Sequence, residues 1–200
     1  MSISSNFAIS VLNDVNTKSI FSGINKRHKK DIKCNLLLLQ VKNQDDSYSY
    51  AIEEFNEMDN TTLIREPSED EKDYLIKILL LDGDKVCKYD INKDYLKDAY
   101  FDCDMSFVLF SKHVDTRTRT LESIVNVCGI LFLNVINKAN GTKNLYIELV
   151  CSEARSEAES SGLGTKFMNL CDEIGRKQGF QKILLSAIDK PLGFYLSKGF

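Results

Sequence analysis

The chain has 200 residues, 43% of them hydrophobic and 28% charged, with a formal net charge of −3. This is a globular composition, long enough to bury a sizeable core in one domain. The acidic balance disfavours a general nucleic-acid binder, which carries a basic excess, and suits a cationic partner such as an amine or a basic peptide.

The opening MSISSNFAISVLND lacks the charged and apolar regions of a signal peptide. The longest apolar runs, such as residues 36–39 and 78–81, are too short to span a bilayer. Cysteines stand at 34, 87, 103, 128, 151 and 171, none at C-x-x-C spacing. Several lie in apolar runs and read as reduced, buried thiols. The expectation is a cytoplasmic, reducing location with no membrane partner and no metal site. Only His28 and His113 are present, which leaves little for histidine chemistry.

In the first half, residues 7–12 alternate weakly and predict a short strand. Asn13, Asp14 or Asn16 then caps a helix over residues 18–30. Its basic end, with Lys26, Arg27, His28, Lys29 and Lys30, reads as a solvated surface; a local anion contact is the alternative. Residues 34–41 predict a buried strand. Apolar positions 51, 52, 55 and 58 have helical spacing. Residues 59–72, polar and interrupted by Pro67, predict a long loop. Between residues 45 and 73, eleven acidic side chains face two basic ones. That run reads as a solvated face, with an amine-attracting rim as the alternative. Asp82-Gly83-Asp84 after an apolar run is a hairpin signal, with residues 85–89 as the return strand. Residues 90–99 predict a capped helix with Ile91, Tyr95, Leu96 and Ala99 at helical spacing.

The second half is more regular. Strands are predicted over residues 105–114, 123–136 and 145–152, with the Asn140-Gly141 hairpin between the last two. The turn SGLGT opens a helix reaching Lys177, and residues 182–188 form a strand apolar enough for burial on both faces. Pro191 suits the first turn of a short final helix. The order is β-β-β-α-β-α, and a helical crossover makes the strands on either side of it parallel. Period two puts Leu145, Ile147, Leu149 and Cys151 on one face of their strand, and Tyr146, Glu148, Val150 and Ser152 on the other. Glu148 is a carboxylate inside an apolar strand, so it is paired, exposed or functional. Backbone N–H groups at a glycine-rich helix start collect an anion. An ordinary glycine turn is the plain alternative.

Four pieces, NLYIELVCS, SGLGT, KILLSAI and PLGFYLSKGF, together resemble the acetyl-CoA-binding half of the GNAT superfamily of N-acetyltransferases, over residues 145–200. The terminal Phe194, Tyr195, Gly199 and Phe200 carry the resemblance most specifically. It implies an α/β (α+β) fold, a mixed, mostly antiparallel central sheet flanked by helices. Residues 101–200 would be the core, and residues 1–100 a divergent part of the same domain or an extension. It implies transfer of an acetyl group from acetyl-CoA to the primary amine of a small molecule or protein; a catalytically inactive binding or structural subunit is the alternative. It places the cofactor's phosphates on the backbone of Ser161, Gly162, Leu163, Gly164 and Thr165. The pantetheine arm would run along Leu149, Val150 and Cys151. Glu148 would be the base and Tyr195 the acid. Two departures stand out. Glu159 occupies a position that is Gln or Arg in the family, in a long acidic loop where Arg155 is the basic residue available to replace it. The family also continues beyond the position of Phe200 into further strands, expected here to be cut from the sequence given, missing, or supplied by a partner such as a second copy.

Overall fold

In the computed structural model, which describes residues 6–15, 17, 20, 32–56, 61–87, 91–114, 123–152, 162–186, 192–197 and 199, four consecutive leucines run through the sheet interior. Leu37 and Leu39 pack into one layer, Leu36 and Leu38 into the other. A strand covered on both faces needs no polar alternation, which is why this run is apolar throughout.

The elements in chain order are α1 (Phe7–Asp14), β1 (Ile32–Lys42), β2 (Tyr48–Asn56), β3 (Thr61–Arg65), α2 (Glu69–Val86), α3 (Lys93–Asp102), β4 (Met105–Val114), β5 (Ser123–Asn137), β6 (Lys143–Ser152), α4 (Leu163–Gln178), β7 (Lys182–Leu185) and α5 (Leu192–Leu196). Among the described residues the strands form one sheet in the order β3-β2-β1-β4-β5-β6-β7. Every pairing is antiparallel except β6 with β7, which is parallel. The expected class, a mixed and mostly antiparallel α/β sheet flanked by helices, is the one observed. Helices α1 and α4 cover one face, and α2 and α3 the other.

Several local expectations are corrected. Residues 7–12 are helical, with Ala8, Val11 and Leu12 buried at helical spacing. Asn6 starts this helix by accepting from Ile9 N–H, and its amide donates to the Tyr50 carbonyl at 2.9 Å, fixing α1 on β2. The helix expected over residues 18–30 lies almost wholly outside the described residues. The helical spacing at 51, 52 and 55 belongs to strand β2. Ala51 and Phe55 enter the α1 layer and Ile52 the opposite one, so burial on both faces imitated a helix.

The long loop expected over residues 59–72 contains β3 and the start of α2. Ser68 caps α2 by accepting from Glu71 N–H, and Glu69, Asp70 and Glu71 in the first turn suit the helix dipole. Arg65 of β3 grips Glu71 with two bonds of 2.6 and 2.7 Å. The Asp-Gly hairpin does not form, because Gly83 lies inside α2. A Cβ there would come within 2.7 Å of Leu96 Cδ2 and 3.2 Å of Ile130 Cδ1. The glycine serves close packing of α2 on α3 and the sheet rather than a turn. Among the described residues strand β7 is an edge, with Lys182 exposed and Ile183, Leu184 and Leu185 half-buried rather than covered on both faces as expected; residues 187–188 of the expected strand lie outside the described residues.

Glu53 of β2 is 2% exposed, and its carboxylate accepts from the Thr17 hydroxyl. Burial pushes its pKa up to about 7, against the smaller opposing effect of that bond. In the unfolded chain the same group titrates near 4.5. Between those values the folded chain keeps a proton that the unfolded chain has released. Stability from this group is therefore full below pH 4.5 and is lost as pH rises through 7, by roughly 3 kcal/mol in all. In thermal melts from pH 4.5 to 8, Glu53→Gln is expected to remove that decline relative to the parent; parallel curves for the two proteins would show Glu53 is not its source.

Candidate functional site

Strand β6 pairs with β5 along its length, but the register slips once. Phe132 faces Leu149 and Leu133 faces Ile147, so Glu148 is an extra residue with no partner opposite. This is a β-bulge, and it re-aims every side chain that follows. Leu145 and Ile147 pack in the α1/α4 layer, and after the bulge Val150 does so too. Leu149 and Cys151 turn to the α2/α3 layer. The uninterrupted period-two assignment is thus corrected beyond Ile147. Two adjacent apolar residues, Leu149 and Val150, were the visible trace of the phase change.

On its other edge β6 pairs with β7 only from Asn144↔Lys182 to Ile147↔Leu185. Strand β7 ends there, while β6 continues to Ser152. Residues 148–152 thus have no strand neighbour on that side among the described residues. Their backbone is a free edge of the kind an extended chain can pair with. Near the end of that pairing the Tyr146 hydroxyl donates to the Ser186 hydroxyl at 3.1 Å.

Helix α4 follows. Gly162 is its N-cap in the left-handed region (φ 65°), and having no side chain it leaves the turn uncapped by one. Leu163, Gly164 and Thr165 form the first turn. Ser161 lies outside the described residues, as do Glu159, Arg155 and the rest of the loop at 153–160. The helix start is pressed against the sheet at Gly129. A Cβ on Gly129 would come within 2.6 Å of Phe167 Cε2 and 2.7 Å of Leu163 Cδ2, so glycine sets how closely the turn approaches the strands.

Glu148 lies on the α3 side, half-buried. The Tyr95 hydroxyl of α3 donates to its Oε1 at 2.9 Å, and the Asn134 amide of β5 approaches Oε2 at 3.4 Å. The Asn134 carbonyl accepts from Asp104 N–H at 3.1 Å, and Asp104 Oδ2 accepts from Val135 N–H at 2.7 Å. Tyr195 of α5 is half-buried against the opposite layer, the one containing α4. Burial holds its hydroxyl above the ordinary tyrosine value, so it stays protonated at neutral pH. The two candidate catalytic side chains thus belong to opposite layers of the sheet. Tyr95, Asn134 and Asp104 were missed at the sequence level. Tyr95 was placed among the apolar positions of its helix, yet it is 41% exposed while Leu96 and Ala99 are buried.

Cys151 is not a free thiol. It forms a disulfide with Cys87 at the end of α2, with 5.0 Å between their Cα atoms. The expectation of reduced cysteines holds for Cys103, Cys128 and Cys171 but fails for this pair. The cause is the bulge, which turns Cys151 toward α2. No helix among the described residues is long and apolar enough to cross a membrane. Among those residues, no group of three or more His, Cys, Asp or Glu is placed to hold a metal ion.

No family model and no curated protein matches the chain. Solved structures do resemble it in part. An acetyltransferase from Trypanosoma brucei is 26% identical, with a TM-score of 0.35, over 48% of this chain and 61% of that one. A glucosamine-6-phosphate N-acetyltransferase from Arabidopsis thaliana is 13% identical, with a TM-score of 0.39, over 57% and 78%. A ribosomal-protein-alanine N-acetyltransferase from Brucella melitensis biovar Abortus is 11% identical, with a TM-score of 0.40, over 62% and 82%. The chain spans less than two thirds of the trypanosomal structure. At these scores the likeness is partial and bears on neither substrate nor residue roles.

The disulfide joins residues 64 apart in sequence and so restricts the unfolded chain strongly. Replacing both cysteines, Cys87→Ala with Cys151→Val, is expected to lower unfolding stability by roughly 2–4 kcal/mol in urea titrations under oxidising conditions. Under strong reductant the parent should fall to a similar midpoint. A parent midpoint indifferent to reductant would mean that the bridge does not form in solution.

Proposed function

We propose that the chain is an N-acetyltransferase that moves an acetyl group from acetyl-CoA to a primary amine by direct attack in a ternary complex. One observation carries the reading. Among the described residues the edge of β6 after Ile147 has no strand neighbour, and the next described element is a helix whose N-cap is a glycine. An amide-bearing arm can add to such an edge as a short strand, and a pyrophosphate suits a helix N-terminus. The described residues suit acetyl-CoA: the edge at Leu149, Val150 and Cys151 for pantetheine, and Gly162 through Thr165 for phosphate, while Ser161, expected beside them, lies outside the described residues. The resemblance of the terminal FYLSKGF segment points the same way.

Acetyl-CoA supplies an activated thioester, so the chain needs to bring an amine beside it and to move protons. Glu148, placed where β6 leaves β7, takes the proton from the acceptor amine. Tyr195 keeps its proton at neutral pH and donates it to the departing sulfur. The acceptor is cationic before it loses that proton, and the acidic balance of the chain favours its approach. A second reading, a binding subunit of the same fold without catalysis, is favoured by Glu159 in the turn's approach, where a cation would better suit phosphate.

Calorimetry with acetyl-CoA, followed by turnover against a panel of alkylamines, polyamines and lysine peptides, separates the two. The expected result is binding that weakens in Gly162→Val, where a β-branched residue cannot readily take a positive φ. Turnover is expected to fall by about 10²–10⁴ in Glu148→Gln while cofactor binding persists. Absence of binding at millimolar acetyl-CoA would overturn the enzyme reading, and binding without turnover on any amine would favour the second.

A further inference from the structure

We infer that Tyr95 is a positioning residue for Glu148: its hydroxyl, held out from α3, fixes the carboxylate at the point where β6 and β7 part, in the orientation that receives the acceptor's proton. The inference rests on the reading of Glu148 as the base and adds what holds it there.

Glu148 is the bulged residue of β6 and has no cross-strand partner to steady it. A side chain at such a position takes its aim from whatever bonds it. Two neutral donors meet its two oxygens. Tyr95 makes the short bond at 2.9 Å and Asn134 the long one at 3.4 Å, so Tyr95 is the stronger constraint.

Tyr95 is itself well placed to impose an orientation. It lies in the first turn of α3, where its backbone N–H donates to the capping Asn92 at 2.7 Å. The next residue, Leu96, is fully buried with Ala99 and Tyr100 in the α2/α3 layer. Lys93, the first residue of the helix and two before Tyr95, donates to the Leu81 carbonyl of α2 at 2.8 Å. The hydroxyl therefore projects from a helix anchored on both the sheet and its neighbouring helix. Asn134 is pinned in turn by Asp104, just beyond the other end of α3. Both ends of one helix thus lead to one carboxylate.

The surrounding titratable groups leave the roles distinct. Tyr146 of β6 neighbours Tyr95, and Cys103 and Asp104 lie toward Glu148. Burial, and then the bond to Glu148, pushes the Tyr95 hydroxyl up to about 12. Burial pushes the Cys103 thiol up to about 12 as well. Neither loses its proton in the range where an amine acceptor is deprotonated by a carboxylate. Tyr95 donates throughout and does not compete as a base.

The test uses the full chain and Tyr95→Phe, which keeps the ring and removes the hydroxyl. Tyr74→Phe, an exposed tyrosine of α2, is the control. Acetyl-CoA affinity by calorimetry is expected to be unchanged in both. In Tyr95→Phe, kcat is expected to fall about tenfold with a displaced acid limb of the pH–rate profile, a change a strut for folding alone would not produce. A readout that needs no turnover runs beside it. In ultraviolet titration of tyrosinate, Glu148→Gln should lower the pKa of one tyrosine, and the change should vanish when Tyr95→Phe is added. Turnover by the parent with an unaltered kcat and pH profile in Tyr95→Phe overturns the inference and leaves the acetyltransferase reading intact. A tyrosine titration blind to Glu148→Gln overturns the bond itself. Failure of the parent to bind acetyl-CoA instead removes the reading on which the inference rests.

Discussion

The architecture turns on a single mismatch between neighbouring strands. Strand β6 runs five residues beyond its last pairing with β7, and the first of those residues is the bulged Glu148. An antiparallel partner on one side, β5, keeps β6 extended through that stretch. On the other side the backbone of residues 148–152 has no strand neighbour among the described residues. A sheet interior cannot tolerate unpaired polar backbone in an apolar setting. The opening is therefore sustainable only at an edge that water or a ligand can reach, and β7, half-exposed and four residues long, provides one.

The bulge also divides labour between the layers. Before it, β6 sends Leu145 and Ile147 to the layer of α1 and α4; after it, Leu149 and Cys151 go to the layer of α2 and α3. The disulfide from Cys151 to Cys87 fastens the free part of β6 to α2, while Val150 keeps it seated on the α4 layer. The same short stretch is thereby secured from above and below without using its edge. Gly129, one strand over, fits the same scheme: the absence of a Cβ lets Phe167 and Leu163 bring the start of α4 down onto the sheet. The strand edge and the helix start are brought together by packing on both faces.

The second half of the fold was legible because its signals are local. Asn140-Gly141 forces a hairpin, Gly162 takes a positive φ, and α4 alternates at 3.6 residues between buried Phe167, Leu170, Cys171 and Ile174 and polar neighbours. The first half misled for a common physical reason. Strands covered on both faces lose alternation, so β2 imitated a helix, and a glycine chosen for helix–helix contact at Gly83 imitated a turn. Tertiary packing overrode local propensity at each of these places. The candidate site divides in the same way. The backbone parts, Gly162 through Thr165 and the β6 edge, follow from motif and strand position. The side-chain environment of Glu148 does not, since Tyr95 and Asn134 reach it from 53 and 14 residues away, and a bulge shifts the face on which they meet it.

That separation bears on how the chain divides its tasks. The residues that read as cofactor-binding all lie after position 148, in the half where the family resemblance is found. Of the two groups that bond Glu148, Tyr95 comes from α3, at the end of the half where the sequence shows no chemical motif, and Asn134 comes from β5, where Asp104 at the junction of α3 with β4 holds it. Strands β1 to β3 continue the same sheet beyond β4, and α2, which packs on α3 through Gly83, is gripped by Arg65 at the end of β3 and capped by Ser68 just after it. The position of Tyr95 is therefore the end of a packed path through the first half: β3 to α2 by Arg65 and Glu71, α2 to α3 at Gly83 and Leu96, and α3 to Glu148 by one hydroxyl. A first half of this kind needs no motif of its own to matter to the chemistry. On the proposed reading its contribution is the packing that holds α3 beside the edge of β6.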